Sequence, residues 1–228
     1  MPKNIVFPTR KESAFSWCYL LFCELFLVYV INFICTGMGI TLSNGQLNLA
    51  YFGVNFLVVT AVFHRFLFRT GKDILEKTLR IIITAGALFA IYLLLSQLLG
   101  RLILWLMPDF ANANDQTVAA VAESYYLPTL ICTVFLVPVT EECLHRGAIF
   151  GGLFKVSPVA AYAVSTVIFA LVHINWYAMG DPVFLALNIL QYIPAGLCLA
   201  AAYHISGSIT APILIHMAVN AIGILALR

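Results

Sequence analysis

Charge is what this sequence has least of. Only 10% of its 228 residues are Asp, Glu, Lys or Arg, and 62% are hydrophobic. An ordinary globular domain carries about 25% and 45–50%. Mean hydropathy is +0.98. A soluble fold of this length must leave much of its chain facing water, and the polar surface to do so is missing. Other signatures are absent too. The six cysteines (Cys18, Cys23, Cys35, Cys132, Cys143 and Cys198) form no C-x-x-C pair, so they read as small apolar residues rather than as a redox or thiolate-metal motif. The H-E-x-x-H spacing of a zinc-hydrolase helix does not occur, and neither does an internal repeat or low-complexity tract. The first apolar run is too long for a signal-peptide core and lacks a small-residue cleavage pattern, so it reads as a retained helix.

What is there is a series of apolar stretches. Crossing a hydrocarbon core about 30 Å thick takes about 20 apolar residues. The stretches predict helices over 14–36, 46–67, 81–106, 126–153, 158–178, 182–204 and 208–227. The expected fold is all-α: a polytopic transmembrane bundle of about seven spans, one membrane domain over residues 1–228. Pro128 and Pro138 predict tilting or kinking of the fourth helix. Gly100–Arg101 is a candidate break in the third. Residues 108–125 are the longest polar connection, with room for a short surface helix.

Lys and Arg in short loops set orientation. Lys3, Arg10 and Lys11 lie before the first helix, Arg65, Arg69, Lys72, Lys77 and Arg80 in the second connection, and Lys155 after the fourth helix. All three segments fall on one side. Asp109, Asp115, Glu123 and Asp181 fall on the other, with Arg101 as the exception and Arg228 left there by an odd number of spans. The N-terminus is expected to be cytoplasmic. This distribution accounts for the net charge of +2, and nucleic acid is not an expected partner. Lipid bilayer is. The length and the absence of organelle signals suggest a prokaryotic plasma membrane.

Against that background, PVTEECLHRGAIFGG at 138–152 stands out, with Glu141, Glu142, His145 and Arg146 in six consecutive positions. A charge near the bilayer centre costs roughly 2.5–3.5 kcal/mol on insertion scales, so these groups should face the bundle interior or a wet cavity. Glu142 and Arg146 are spaced i, i+4 with the acid first, the favourable order for a helical ion pair. Glu141 has only His145 at the same spacing. Gly147-x-x-x-Gly151 predicts close approach of another helix. A polar network that merely fixes helix packing would also explain the cluster.

Two further motifs change the balance. FALVH places Phe169 and His173 at i, i+4, and HMAVN places His216 and Asn220 likewise, each pair on one helix face. If the chain turns near Val156, Glu141 and His173 lie roughly 22 and 26 Å from the turn, and His216 and Asn220 roughly 12 and 18 Å from the same side, at 1.5 Å per residue. Groups from three helices could therefore converge.

The set EECLHR, FALVH and HMAVN resembles the three-motif signature of the CPBP family of intramembrane proteases, which includes CAAX-processing enzymes and bacteriocin-associated Abi proteins. The resemblance covers about residues 126–227, the C-terminal four helices, and residues 1–125 carry no mark of it. His145 departs from the pattern, where an aromatic or aliphatic residue is usual. The resemblance implies an endopeptidase acting on a peptide or membrane-protein substrate. In it Glu141 would activate a water, His173 would position it, and His216 with Asn220 would stabilise the oxyanion. Glu142 and Arg146 would form a supporting pair, with Phe169 packed against the site. No cofactor is implied. Three other readings compete: a zinc enzyme with Glu141, His145, His173 and His216 as ligands, a non-catalytic bacteriocin-immunity or regulatory membrane protein, and a transporter using buried Glu and His.

Among single residues, Glu24 would pair with a polar neighbour or snorkel. Asn188 and Gln191 would hydrogen-bond between helices or line the site. His64 and His204 would be interfacial, and Arg65 and Arg69 would anchor the membrane edge.

Overall fold

A computed structural model of the chain describes residues 5–174 and 181–227. Lys3 and Arg228 of the orientation argument, and residues 175–178 of the predicted fifth helix, lie outside the described residues. Among the described residues seven helical rods follow one another: α1 (Arg10–Gly37), α2 (Asn44–Val62), α3 (His64–Leu106), α4 (Ala113–Phe154), α5 (Pro158–Val172), α6 (Pro182–Ser206) and α7 (Thr210–Leu225).

Two predicted connections are helical instead. The basic segment after α2 continues straight into α3, which runs 43 residues, and its apolar part is Ile74–Leu106. Its Lys, Arg, Glu, Leu and Ile are good helix formers with only Gly71 to interrupt them. Gly100–Arg101 does not break it. Within the polar stretch 108–125, residues 113–125 form the first third of α4, capped by Asn112, whose side chain accepts from the Asp115 amide at 3.0 Å. α4 kinks at Tyr125 (φ −136°, ψ 50°), three residues before Pro128. The missing N–H and the ring of that proline disturb the preceding turn. Wide, π-type turns occupy Cys132–Leu136, just before Pro138, and Cys143–Phe150.

Of the seven expected spans, five are helices long and apolar enough to cross a membrane among the described residues, α1 to α4 and α6. α5 and α7 are apolar but have 15 and 16 residues, about 22–24 Å of helix.

Arg69 Nη2 donates to the Phe7 carbonyl at 3.0 Å, Lys77 Nζ to the Gly207 carbonyl at 3.4 Å, and Lys155 Nζ sits 4.8 Å over the Phe7 ring. The basic segments thus share one end of the bundle. At the other end Asn112 donates to Gln191 at 3.0 Å, and Phe110 packs on Phe184.

The Gly147–Gly151 face takes one helix at Gly147 and the N-terminal strap beside it. A Cβ on Gly147 would meet Phe66 at 3.1 Å, and one on Gly151 would meet Phe7 at 2.9 Å. The two glycines seat the N-terminal strap of residues 5–9 and a ring from α3. The strap also bonds the α6–α7 turn, with Val6 N donating to Gly207 O and the Tyr203 hydroxyl donating to Val6 O. Gly207 has φ 73°, the left-handed conformation that lets a helix end in a tight turn. Beneath the strap, Phe63, Phe66, Phe150 and Tyr203 are fully buried.

Candidate active site

The acid-rich turn of α4 sends adjacent glutamates to different surroundings, since neighbours on a helix point about 100° apart. Glu142 is inside the protein, 0% exposed, and so is Arg146. Arg146 Nη1 donates to Glu142 Oε1 at 3.0 Å, the i, i+4 pair expected from spacing. The guanidinium also donates to the Gly196 carbonyl at 3.4 Å and lies 4.0 Å over the Phe169 ring. Glu142 Oε1 takes a second bond, from His216 Nδ1 at 2.8 Å.

Glu141 turns toward the cavity, with 24% of its side chain exposed. Its Oε2 lies 3.7 Å from His173 Nε2 and 4.0 Å from His216 Nε2. His145, the residue at i, i+4 from Glu141, is not its partner. His145 is buried edge-on against Phe169, ring centroids 5.5 Å apart, and among the described residues its Nδ1 has no hydrogen-bond partner.

Both facing imidazoles have their tautomers set by the other ring nitrogen. His173 Nδ1 lies 2.7 Å from the Phe169 carbonyl, which can only accept, so Nδ1 carries the proton. His216 Nδ1 meets a carboxylate already paired with a guanidinium, so it donates too. In their neutral forms both rings therefore present a lone pair at Nε2 toward Glu141.

Phe169 is the hub of the packing, touching His145, His173, His216 and Arg146. Asn220 Nδ2 donates to the Thr133 carbonyl at 2.7 Å, which holds α7 against the π turn of α4 and leaves the amide a second hydrogen. His216 reaches Glu142 although it lies only about 9 Å along α7 from Thr210. The reason is that the α6–α7 turn is itself sunk, with Ser206, Ser208 and Ile209 buried beneath the strap.

Glu141, His173, His216 and Asn220 line one cavity of about 970 Å³. Glu24 and Tyr51, of α1 and α2, line it as well, and Tyr19 donates to Asn55 behind them at 2.7 Å. Sequence reasoning gave Glu24 no place in the site, because nothing in α1 marks which face meets the cavity. It also missed Tyr192, whose ring lies 4.5 Å from that of His173; its position beside Gln191 in an apolar helix was the available signal. Gln191 accepts from Asn112 between helices, whereas Asn188 bonds its own helix at the Phe184 carbonyl. His204 is held by Tyr162 at 3.0 Å, and His64 stays exposed. Cys143 is fully buried, like the small apolar residue expected there.

Among the described residues no group of three or more His, Cys, Asp or Glu side chains is arranged to hold a metal ion. His173 and His216 each have one nitrogen committed to a protein acceptor, and His145 packs on an aromatic edge rather than toward Glu141.

Residues 123–222 match the family described as type II CAAX prenyl endopeptidase Rce1-like. No curated protein and no solved structure matches the chain.

Proposed function

We propose that this chain, whose residues 123–222 belong to the Rce1-like type II CAAX prenyl endopeptidase family, is an intramembrane endopeptidase that hydrolyses a peptide bond with water activated by Glu141. The observation that carries this reading is the approach of Glu141 Oε2 to both Nε2 atoms, at 3.7 and 4.0 Å. A water bound to the carboxylate would have an imidazole beside it as a second partner.

In this reading His216 carries a proton on both ring nitrogens, and Glu142 balances its charge from the Nδ1 side of the ring. Glu141 is then ionised and accepts the proton of the attacking water. The hydroxide oxygen bonds to the carbonyl carbon, and the carbonyl π electrons move onto oxygen. His216 Nε2–H and the free Asn220 N–H face that oxyanion, a stabilisation worth about 2.7–4 kcal/mol per donor in hydrolases. As the C–N bond breaks, Glu141 passes its proton to the leaving amine. His173, fixed by the Phe169 carbonyl and backed by Tyr192, positions the water. Arg146 acts through Glu142 and touches no substrate.

Peptides or membrane proteins are the substrates, the bilayer is the medium, and the residues work without a metal. The N-terminus and the basic end face the cytoplasm of a prokaryotic plasma membrane, and residues 1–125 complete a single domain by walling the cavity.

The test compares membranes carrying wild-type and Glu141→Gln protein. A cleaved peptide should appear only with the wild type, and its yield should survive chelation by EDTA. Fragments that are identical in both membranes would leave a non-catalytic immunity or regulatory role. Loss on chelation, reversed by zinc alone, would make this a metalloenzyme.

A further inference from the structure

Glu24 is a carboxylate on an apolar membrane helix, where an acidic side chain is costly to insert and is rarely kept without a function. The proposed hydrolysis gives it no role. It stands in a wide, π-type turn of α1 at Cys23–Leu27, a distortion that recurs at functional sites. α1 begins at the basic end of the bundle and α4 finishes there, so the two run in opposite directions. Leu20 and Leu144 pack in one core cluster. Glu24 lies one turn past Leu20 and Glu141 nearly one turn short of Leu144, which brings the two carboxylates to about the same depth in the cavity that both line. A packing role would seal Glu24 as Arg146 and His216 seal Glu142. Its side chain is instead exposed along the cavity.

The surroundings of Glu24 are built, and they lack a cation. The Tyr51 hydroxyl lies beside its carboxylate and also reaches Asn55. Asn55 is buried and takes a hydrogen bond from Tyr19 at 2.7 Å. Tyr51 and Asn55 are spaced i, i+4, so one face of α2 presents both. The other carboxylates of the cavity have imidazoles near them: Glu141 faces His173 and His216, and Asp115 lies near His173. The charge that reaches Glu24 is the like charge of Glu141. Among the described residues no Lys or Arg lines the cavity, and the wall around Glu24 is apolar, with Leu20, Val28, Leu47 and Phe52. A carboxylate in a cavity of low dielectric attracts a counter-charge strongly, and here only an entering molecule can supply one.

We propose that Glu24, with Tyr51 beside it, binds a lysine or arginine side chain of the substrate, so that the preferred substrate is an apolar polypeptide segment with a basic residue close to the scissile bond. Glu24 selects the substrate and takes no part in breaking the bond. The proposal deepens the peptidase reading and rests on it for the bond that is cut, but the cation site can be tested without cleavage.

The test uses the full chain carrying Glu141→Gln, purified in detergent, which silences hydrolysis and leaves Glu24 in place. Two blocked pentapeptides are titrated against it at neutral pH: leucine-alanine-lysine-alanine-leucine, and the same sequence with norleucine for lysine. The lysine peptide should bind at least about tenfold more tightly, the scale of a hydrogen-bonded charge pair. Adding Glu24→Gln should bring the two affinities together, with an unfolding midpoint unchanged from the parent. Adding Glu24→Asp should keep part of the preference, and Tyr51→Phe should weaken it. Should Glu24→Gln fail to fold, Glu24→Asp and Tyr51→Phe decide the matter by whether the preference falls. Equal affinity for the two peptides, no binding of the lysine peptide, or a lysine preference that survives Glu24→Gln overturns the proposal. If the preference depends on Glu24 while Glu141→Gln membranes still cleave, the peptidase reading fails and the cation site stands. If cleavage is lost with Glu141→Gln and no lysine preference is found, the cation site fails alone.

Discussion

Glu141 and Glu142 are chemically identical neighbours, and their surroundings give them unlike properties. Glu142 is sealed between Arg146 and His216, and removing one partner of a buried ion pair costs about 3–5 kcal/mol because the other charge is left without compensation. Glu141 is part-exposed, and its Oε2, itself buried, has no hydrogen bond among the described residues, so neutralising it removes no bond. Thermal unfolding in detergent should therefore show Glu142→Ala destabilised on that scale and Glu141→Gln within about 0.5 kcal/mol of the wild type. Equal losses would mean that both carboxylates are structural, and would remove the reason for assigning Glu141 to chemistry. The Glu142–Arg146 pair was legible in the sequence because i, i+4 spacing is local. The bonds from His216 to Glu142 and from Asn220 to Thr133 were not, since no spacing rule reports which turn of α7 faces which turn of α4. Nor was the burial of His145, which looked like a partner for Glu141 until Phe169 was seen to occupy its edge.

Between elements, the site depends on how closely α5 and α6 approach. Gly196 is where they touch. A Cβ there would lie 2.6 Å from Thr166 Cγ2 and 3.0 Å from its Cα, and a backbone atom cannot step aside as a side-chain tip can. Gly196→Ala should cost about 1–3 kcal/mol, the range for overpacking, and should lower cleavage as well. The helix pushed away carries Phe169 and His173, and the Gly196 carbonyl itself holds Arg146. Gly152→Ala is the control, since nothing lies within 4 Å of the added methyl. Should both variants unfold together with the wild type, the α5–α6 contact would not be what positions His173. This contact was invisible in the sequence, where the evident small-residue spacing, Gly147-x-x-x-Gly151, pointed to a helix pair. Phe66 of α3 does meet Gly147, but Phe7 and Pro8 of the strap share that face, which no spacing rule reports. Helix existence was easy to read from apolar run length. The boundaries were harder, because charged segments such as 64–80 also make good helix and run on past the bilayer.

Across the whole molecule, composition alone identified the solvent: a chain this poor in charge can bury its surface only in lipid. It did not reveal that residues 6 and 207, at opposite ends of the chain, are held together over the half that carries the candidate site. The strap lies on the α6–α7 turn, and the depth of that turn brings His216 level with Glu142 from so early in a short α7. Phe7 is the anchor, packing against Tyr203 and Phe154 with centroids 6.3 and 6.4 Å away and closing over Gly151. If the strap sets the depth of the turn, Phe7→Ala should lose stability and cleavage together, by up to about 3 kcal/mol, the low end for deleting a phenyl ring from a core because Phe7 is only partly buried. Phe33→Ala, on an α1 ring that is 79% exposed, should change neither. Unfolding midpoints and fragment yield from the same membranes decide the matter. A Phe7→Ala protein that melts with the wild type yet cuts poorly would place the strap at the substrate rather than beneath the turn, whereas one unaffected in both would show that α6 and α7 hold His216 in place by themselves.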